Sequence, residues 1–87
     1  MDDRLDTRRV RYFMQVLESG SVRGAADVLD MDPSAVSRAI GILEQECGVP
    51  LLERHGRRVV PTDAGEMLAG YVRRQNSQKQ HLMAQMD

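Results

Sequence analysis

Eighty-seven residues are enough for one small domain, and a chain of that size buries only roughly 60% of its unfolded surface, so a second copy would help to stabilise it. A net charge of −1 argues mildly against a nucleic-acid partner, while 41% hydrophobic and 29% charged residues favour a folded, soluble unit whose core is aliphatic, because Tyr12, Phe13 and Tyr71 are its aromatics. No run of about 18 apolar residues could cross a membrane, the acidic start Met1 to Asp6 is no signal peptide, and the single cysteine, Cys47, cannot form an internal disulfide, which suits a reducing cytoplasm.

The first predicted helix runs from about Thr7 to Ser19. Val10, Phe13, Met14 and Leu17 repeat at the i, i+3, i+4, i+7 spacing of an amphipathic helix. Asp6 or Thr7 can cap it, and Gly20 can end it in the left-handed conformation. A short second helix spans Val22 to about Leu29, with Ser21 as its cap and a small-residue face of Ala25, Ala26 and Leu29. The third starts at Asp32-Pro33, a strong cap followed by a proline suited to the first helical position, and runs to about Cys47, where Gly48 closes it. Val36, Ile40, Leu43 and Cys47 form its apolar stripe. Ser34, Ser37, Arg38, Gly41 and Gln45 form the opposite face, which carries no acidic residue, although Glu44 borders it.

Leu51 to Pro61 reads as a small hairpin. Its ends, Leu51-Leu52 and Val59-Val60, are β-prone, and its tip is basic with one glycine, Gly56. The last helix begins at Thr62 or Asp63, with acidic residues in its first turn. Ala64, Met67, Leu68, Tyr71 and Val72 make its apolar stripe, which Leu82, Met83 and Met86 resume. Such a helix is about 36 Å long if it reaches Met86, too long for one small domain to cover. Its distal half is therefore expected to pair with another chain.

Two helices joined by a tight turn, the first rich in small residues and the second polar outside, form a helix-turn-helix. Ala26 lets the helices approach, and Leu29, Met31, Val36 and Ala39 are expected to fill the wedge between them. The second helix of such a pair enters the major groove, so its outer residues must be donors, acceptors or small groups, and free amides at its N-terminus can meet a phosphate. A basic hairpin directly after it can reach phosphates. The net charge hides clustering: Arg8, Arg9 and Arg11; Arg54, His55, Arg57 and Arg58; Arg73 and Arg74. All basic residues but Lys79 are arginine, the side chain suited to planar contacts with phosphate or guanine.

The ordered segments Val10-Arg11-Tyr12-Phe13, Gly20-Ser21-Val22 leading to Ala25-Ala26, Ser34-Ala35-Val36-Ser37-Arg38, Leu43-Glu44, Gly48-Val49-Pro50-Leu51-Leu52-Glu53-Arg54 and Pro61-Thr62-Asp63-Ala64-Gly65 resemble the N-terminal domain of LysR-type transcriptional regulators. The likeness covers about Thr7 to Val72. It implies a mainly α fold: a winged helix-turn-helix of three helices and a two-stranded wing over residues 1–61, then a linker helix for dimerisation over 62–87, ahead of an effector-binding domain that this chain lacks. It implies a cytoplasmic protein that binds double-stranded DNA as a homodimer, with a tetramer open to the full-length protein, at an interrupted inverted repeat. Ser34, Ser37 and Arg38 match positions of the recognition helix that face DNA, and Gly41 lies on the same face. Arg54 matches the start of the wing, Arg57 and Arg58 its tip, and Thr62 the residue that opens the linker helix and approaches phosphate. Leu68, Tyr71, Leu82 and Met86 are the expected dimerisation stripe.

The chain departs from the family pattern where Pro33 replaces a glutamine often used to read a base, where Ala39 and Gly41 replace longer polar residues, and where Leu52 replaces an aromatic. These changes shift base reading onto Arg38. The rival reading is a helix-turn-helix scaffold that binds protein and not DNA. An enzyme has no support: no nucleophile with a base, phosphate loop or glycine fingerprint is present, and Glu44 and Glu46 point to different faces. Cys47 reads as a core thiol before a redox sensor. His55 and His81, with no cysteine pair nearby, imply no metal, and no cofactor is expected.

Overall fold

In a computed structural model describing residues 6–86, four helices and one hairpin follow in the order α1 (Thr7–Ser19), α2 (Val22–Leu29), α3 (Pro33–Cys47), β1 (Leu52–His55), β2 (Arg58–Pro61) and α4 (Asp63–Met86). The polar segment Met1–Leu5 lies outside the described residues.

Local chemistry sets the boundaries. The Asp6 carboxylate accepts hydrogen bonds from the Arg8 and Arg9 amides at 2.8 and 3.4 Å, and Gly20, at φ 77°, closes α1 with its amide donating to the Val16 carbonyl. The Ser21 hydroxyl caps α2 by accepting from the Gly24 amide at 2.9 Å. Asp30 ends that helix at φ 55°, a left-handed conformation that aspartate tolerates better than most residues. The Met31 amide then donates to the Ala26 carbonyl at 2.9 Å, which makes the turn into α3 tight. Asp32 caps α3, Pro33 occupies its first turn, and Gly48 closes it at φ 77°.

The three helices pack around Phe13, Val16, Ala25, Ala26, Val36, Ile40 and Leu43, joined by Leu51 and Ala69. The stripe of α1 is turned from its expected centre: Phe13 and Val16 are fully buried, while Val10, Met14 and Leu17 flank them. Val36, Leu29 and Met31 fill the wedge between α2 and α3. Ala39 does not; it lines a surface groove beside α1, because it sits on the flank of α3 and not on its buried stripe. Cys47 is half-buried against the core. Burial, and then the charges of Glu46 and Glu44, push its thiol up from the ordinary value, which keeps it protonated.

The hairpin pairs Leu52 with Pro61, Glu53 with Val60, Arg54 with Val59 and His55 with Arg58. Gly56 and Arg57 form the turn, and Gly56 takes φ 65° there, as a two-residue hairpin turn demands. The Val59 amide donates to the Gly20 carbonyl at 3.1 Å, so the wing is anchored to the turn between α1 and α2.

α4 joins the core through its first two turns. Gly65 and Ala69 are its buried residues, with Ala64 and Leu68 packed beside them. Met67 and Tyr71, expected on the apolar stripe, are 75% and 48% exposed, because the helix turns its smallest residues to the core. From Arg73 to Met86 every residue is exposed. Among the described residues no helix is long and apolar enough to cross a membrane.

Candidate nucleic-acid interface

The outer face of α3 is assembled as its spacing requires. Burial of Val36, Ile40 and Leu43 forces Ser34, Ser37, Arg38 and Gln45 to the surface, where all four are exposed. Gly41 faces open space, since a Cβ there would meet nothing within 4 Å. A groove separates this helix from the wing, and Ser37, Gly41, Glu44, Arg54 and Val59 line it. Arg38 lies on the other flank, in a groove shared with α1. Arg57 occupies the wing turn. Arg58 begins β2 and leans back over the α1–α2 turn, its Nη2 3.6 Å from where a Cβ on Gly20 would stand. His55 ends β1 and lies 2.9 Å from Glu53 Oε2. Arg38, Arg54, Arg57 and Arg58 make no ion pair with any described residue.

Two expectations need correction. The start of α3 offers no free amide to a phosphate. Pro33 has none, the Ser34 amide donates to Asp32 Oδ1 at 3.1 Å, and the Ala35 and Val36 amides donate to the Asp32 carbonyl at 2.9 and 3.2 Å. The Ser34 hydroxyl also donates to Asp32 Oδ1, at 3.0 Å. These two bonds from Ser34, and then the Arg38 charge, hold the Asp32 carboxyl below its ordinary range. An ionised aspartate therefore stands where an anion was expected. Thr62 is committed as well. Its hydroxyl donates to the Pro50 carbonyl at 2.7 Å and accepts from the Gly65 amide at 3.1 Å, so it caps α4 and has no proton left for a phosphate.

One positioning residue escaped the sequence reading. Glu44 Oε2 accepts from the amides of Leu51 and Leu52, at 2.7 and 3.3 Å, tying the last turn of the recognition helix to the start of the wing. Its signal was an acidic residue bordering an otherwise acid-free face. Glu44→Gln keeps the shape but removes the charge from both bonds, and is expected to cost about 1 kcal/mol, read as a lower denaturation midpoint in urea. An unmoved midpoint would show that the wing holds its place without this tie.

The family model for bacterial regulatory helix-turn-helix proteins of the lysR family matches residues 7–66, more than half of the chain. The chain belongs to the LysR family. This LysR domain is 39% identical over 69 residues to the nitrogen assimilation regulatory protein nac of Escherichia coli, an alignment covering 79% of the chain and 23% of that protein. It therefore spans about a quarter of the length of such relatives. Crystal structures of the BenM DNA-binding domain are similar in fold. In complex with catB site 1 DNA that domain shows 35% identity and a TM-score of 0.80, covering 92% of this chain and 86% of the other. In complex with benA site 1 DNA it shows 34% identity and a TM-score of 0.81, covering 94% and 95%. The chain is a LysR-type helix-turn-helix DNA-binding domain of the transcriptional-regulator class. The relatives are regulators and not enzymes, and the likeness to domains bound to DNA disfavours a scaffold that binds only protein.

Proposed function

We propose that two copies of this domain, paired through α4, bind an interrupted inverted repeat in double-stranded DNA, in the cytoplasm, as the DNA-contacting part of a longer regulator. The observation that carries this reading is the sorting of charge. Arg38 on α3 and Arg54, Arg57 and Arg58 on the wing have no ion-pair partner among the described residues and stand around an acid-free helix face, although the whole chain carries a net charge of −1. Ser34, Ser37 and Arg38 would meet base edges, and Gly41 would let the helix backbone approach closely. Arg54, Arg57 and Arg58 would hold phosphates. Thr62 would act only by fixing the start of α4. Arg57→Ala should weaken binding to any duplex alike and lower the slope of log K against log salt by about 0.9. Titration of a random-sequence duplex at several salt concentrations checks this, and an unchanged slope removes the wing from the interface.

The exposed distal half of α4 supports pairing with a second copy. Leu82 and Met86 are 55% and 72% exposed there, and Tyr71 lies one side of the half-buried Leu68. Side chains of that size gain about 1.5–3 kcal/mol when buried. Leu82→Glu should therefore weaken the dimer by at least about tenfold in sedimentation equilibrium. A dimer indifferent to this change would place the interface elsewhere.

A further inference from the structure

The basic cluster at the start of α1 has no part in the wing or in the outer face of α3, yet the fold brings it to the recognition helix. Arg8, Arg9 and Tyr12 line one open groove together with Arg38 and Ile42 of α3 and with Asp6. At 100° per residue Arg38 and Ile42 stand on the flank of α3 opposite Ser37 and Glu44, which line the wing groove. The recognition helix is thus bordered by arginines on both sides.

The arginines of the α1 groove differ in availability. Arg9 Nη1 is 3.7 Å from Asp6 and 3.5 Å from Glu46, so its charge is answered twice. The Arg8 side chain is 75% exposed, and among the described residues the carboxylate that it approaches is Asp6, with its Nε 3.9 Å from Oδ1. That same oxygen accepts the Arg8 and Arg9 amides and acts chiefly as the α1 cap. The Arg8 guanidinium is therefore available to an anion.

We propose that this groove seats a backbone phosphate of DNA, with Arg8 as its ligand, on the strand opposite the one that the wing holds. A helix lying in a major groove about 12 Å wide has a phosphate backbone on each side. The wing can reach only one of them. The start of α1 stands on the other flank and presents a planar, charged fork suited to a phosphodiester.

The inference rests on the DNA-binding reading, and its test separates the two. The salt slope of binding to a random-sequence duplex is measured for the full chain and for Arg8→Ala, Arg8→Lys, Arg57→Ala and Lys79→Ala. Lys79 is exposed on distal α4 and controls for loss of charge alone. Arg8→Ala should lower the slope by about 0.9, so that raising salt from about 50 to about 200 mM costs it about 3.5-fold less affinity than the parent. Arg8→Lys should restore most of the slope, and the melting temperature of both variants should match the parent. A normal slope for Arg8→Ala beside a lowered one for Arg57→Ala overturns the α1 contact and leaves DNA binding intact. Normal slopes for both overturn the α1 and wing contacts together, whereas a parent chain that binds no duplex, or binds it without salt dependence, overturns the DNA reading itself. An equal fall for Lys79→Ala assigns the effect to net charge and overturns the site.

Discussion

Gly65→Ala is expected to cost about 3 kcal/mol of stability, lowering the melting temperature by roughly 12–24 °C. The cause is one methyl group. A Cβ at this position would land on the Leu51 carbonyl oxygen, with the Leu51 carbonyl carbon at 3.1 Å and Pro61 Cβ at 3.2 Å. These are mostly backbone atoms that cannot swing aside. The Leu51 carbonyl also accepts the Thr62 amide at 3.0 Å, and Thr62 in turn holds the Pro50 carbonyl and the Gly65 amide. The start of α4 is therefore fastened to the segment that leads into the wing, and moving it disturbs both. Gly41→Ala is the contrasting substitution, since its Cβ meets nothing and helix propensity should add about 1 kcal/mol. Thermal unfolding followed by circular dichroism separates the two. A shift of less than about 4 °C for Gly65→Ala would show that α4 can back away from Leu51 at little cost.

The elements were legible because their ends are written in short-range chemistry. Asp6, Ser21 and Asp32 begin helices, Gly20 and Gly48 end them, and each signal acts within a few residues of its own position. The hairpin was legible from Gly56 between two β-prone ends. What could not be read depends on approach between distant segments. Gly65 sits in the first turn of a helix, where nothing local demands glycine; Leu51 does. Glu44 bordered a DNA-facing surface in the sequence, but folding delivers Leu51 and Leu52 to its carboxylate. Ala39 fell outside the wedge, and Met67 and Tyr71 outside the core, because periodicity fixes which residues share a face but not which part of that face a neighbour covers. The amides at the start of α3 looked free for a phosphate because capping and anion binding use the same donors, and only the structure shows Asp32 holding them.

The same accounting explains how a chain of charge −1 can present a basic surface. Asp6 and Asp32 face helix amides, Glu44 faces the wing amides, and Glu46 faces Arg9. Folding thus turns four carboxylates toward partners within the fold, while the arginines of α3 and the wing have no ion-pair partner among the described residues. Net charge is a poor guide to a partner when acids serve as caps and ties.

Arg38→Ala should relax sequence preference at one base pair by about 1–3 kcal/mol, while leaving preference elsewhere in the site unchanged. Several features favour Arg38 as the main reader. It is exposed in the first half of α3, the part of a recognition helix that reaches base edges. Pro33 has no amide or side-chain donor to offer, the Ser34 hydroxyl is turned toward Asp32, and Gly41 has no side chain. Ser37 is short. Arg38 is then the side chain on this face able to grip a guanine with two parallel bonds, and Asp32 beside it can steady the guanidinium without forming a direct ion pair. Selection of bound sites from random duplexes, for parent and variant, gives the measurement: one position of the motif should flatten in Arg38→Ala and the rest should persist. Equal loss on selected and random DNA would instead make Arg38 a phosphate ligand. Specificity would then rest on the shape and deformability of the DNA, read by the spacing of two paired domains and not by any single side chain.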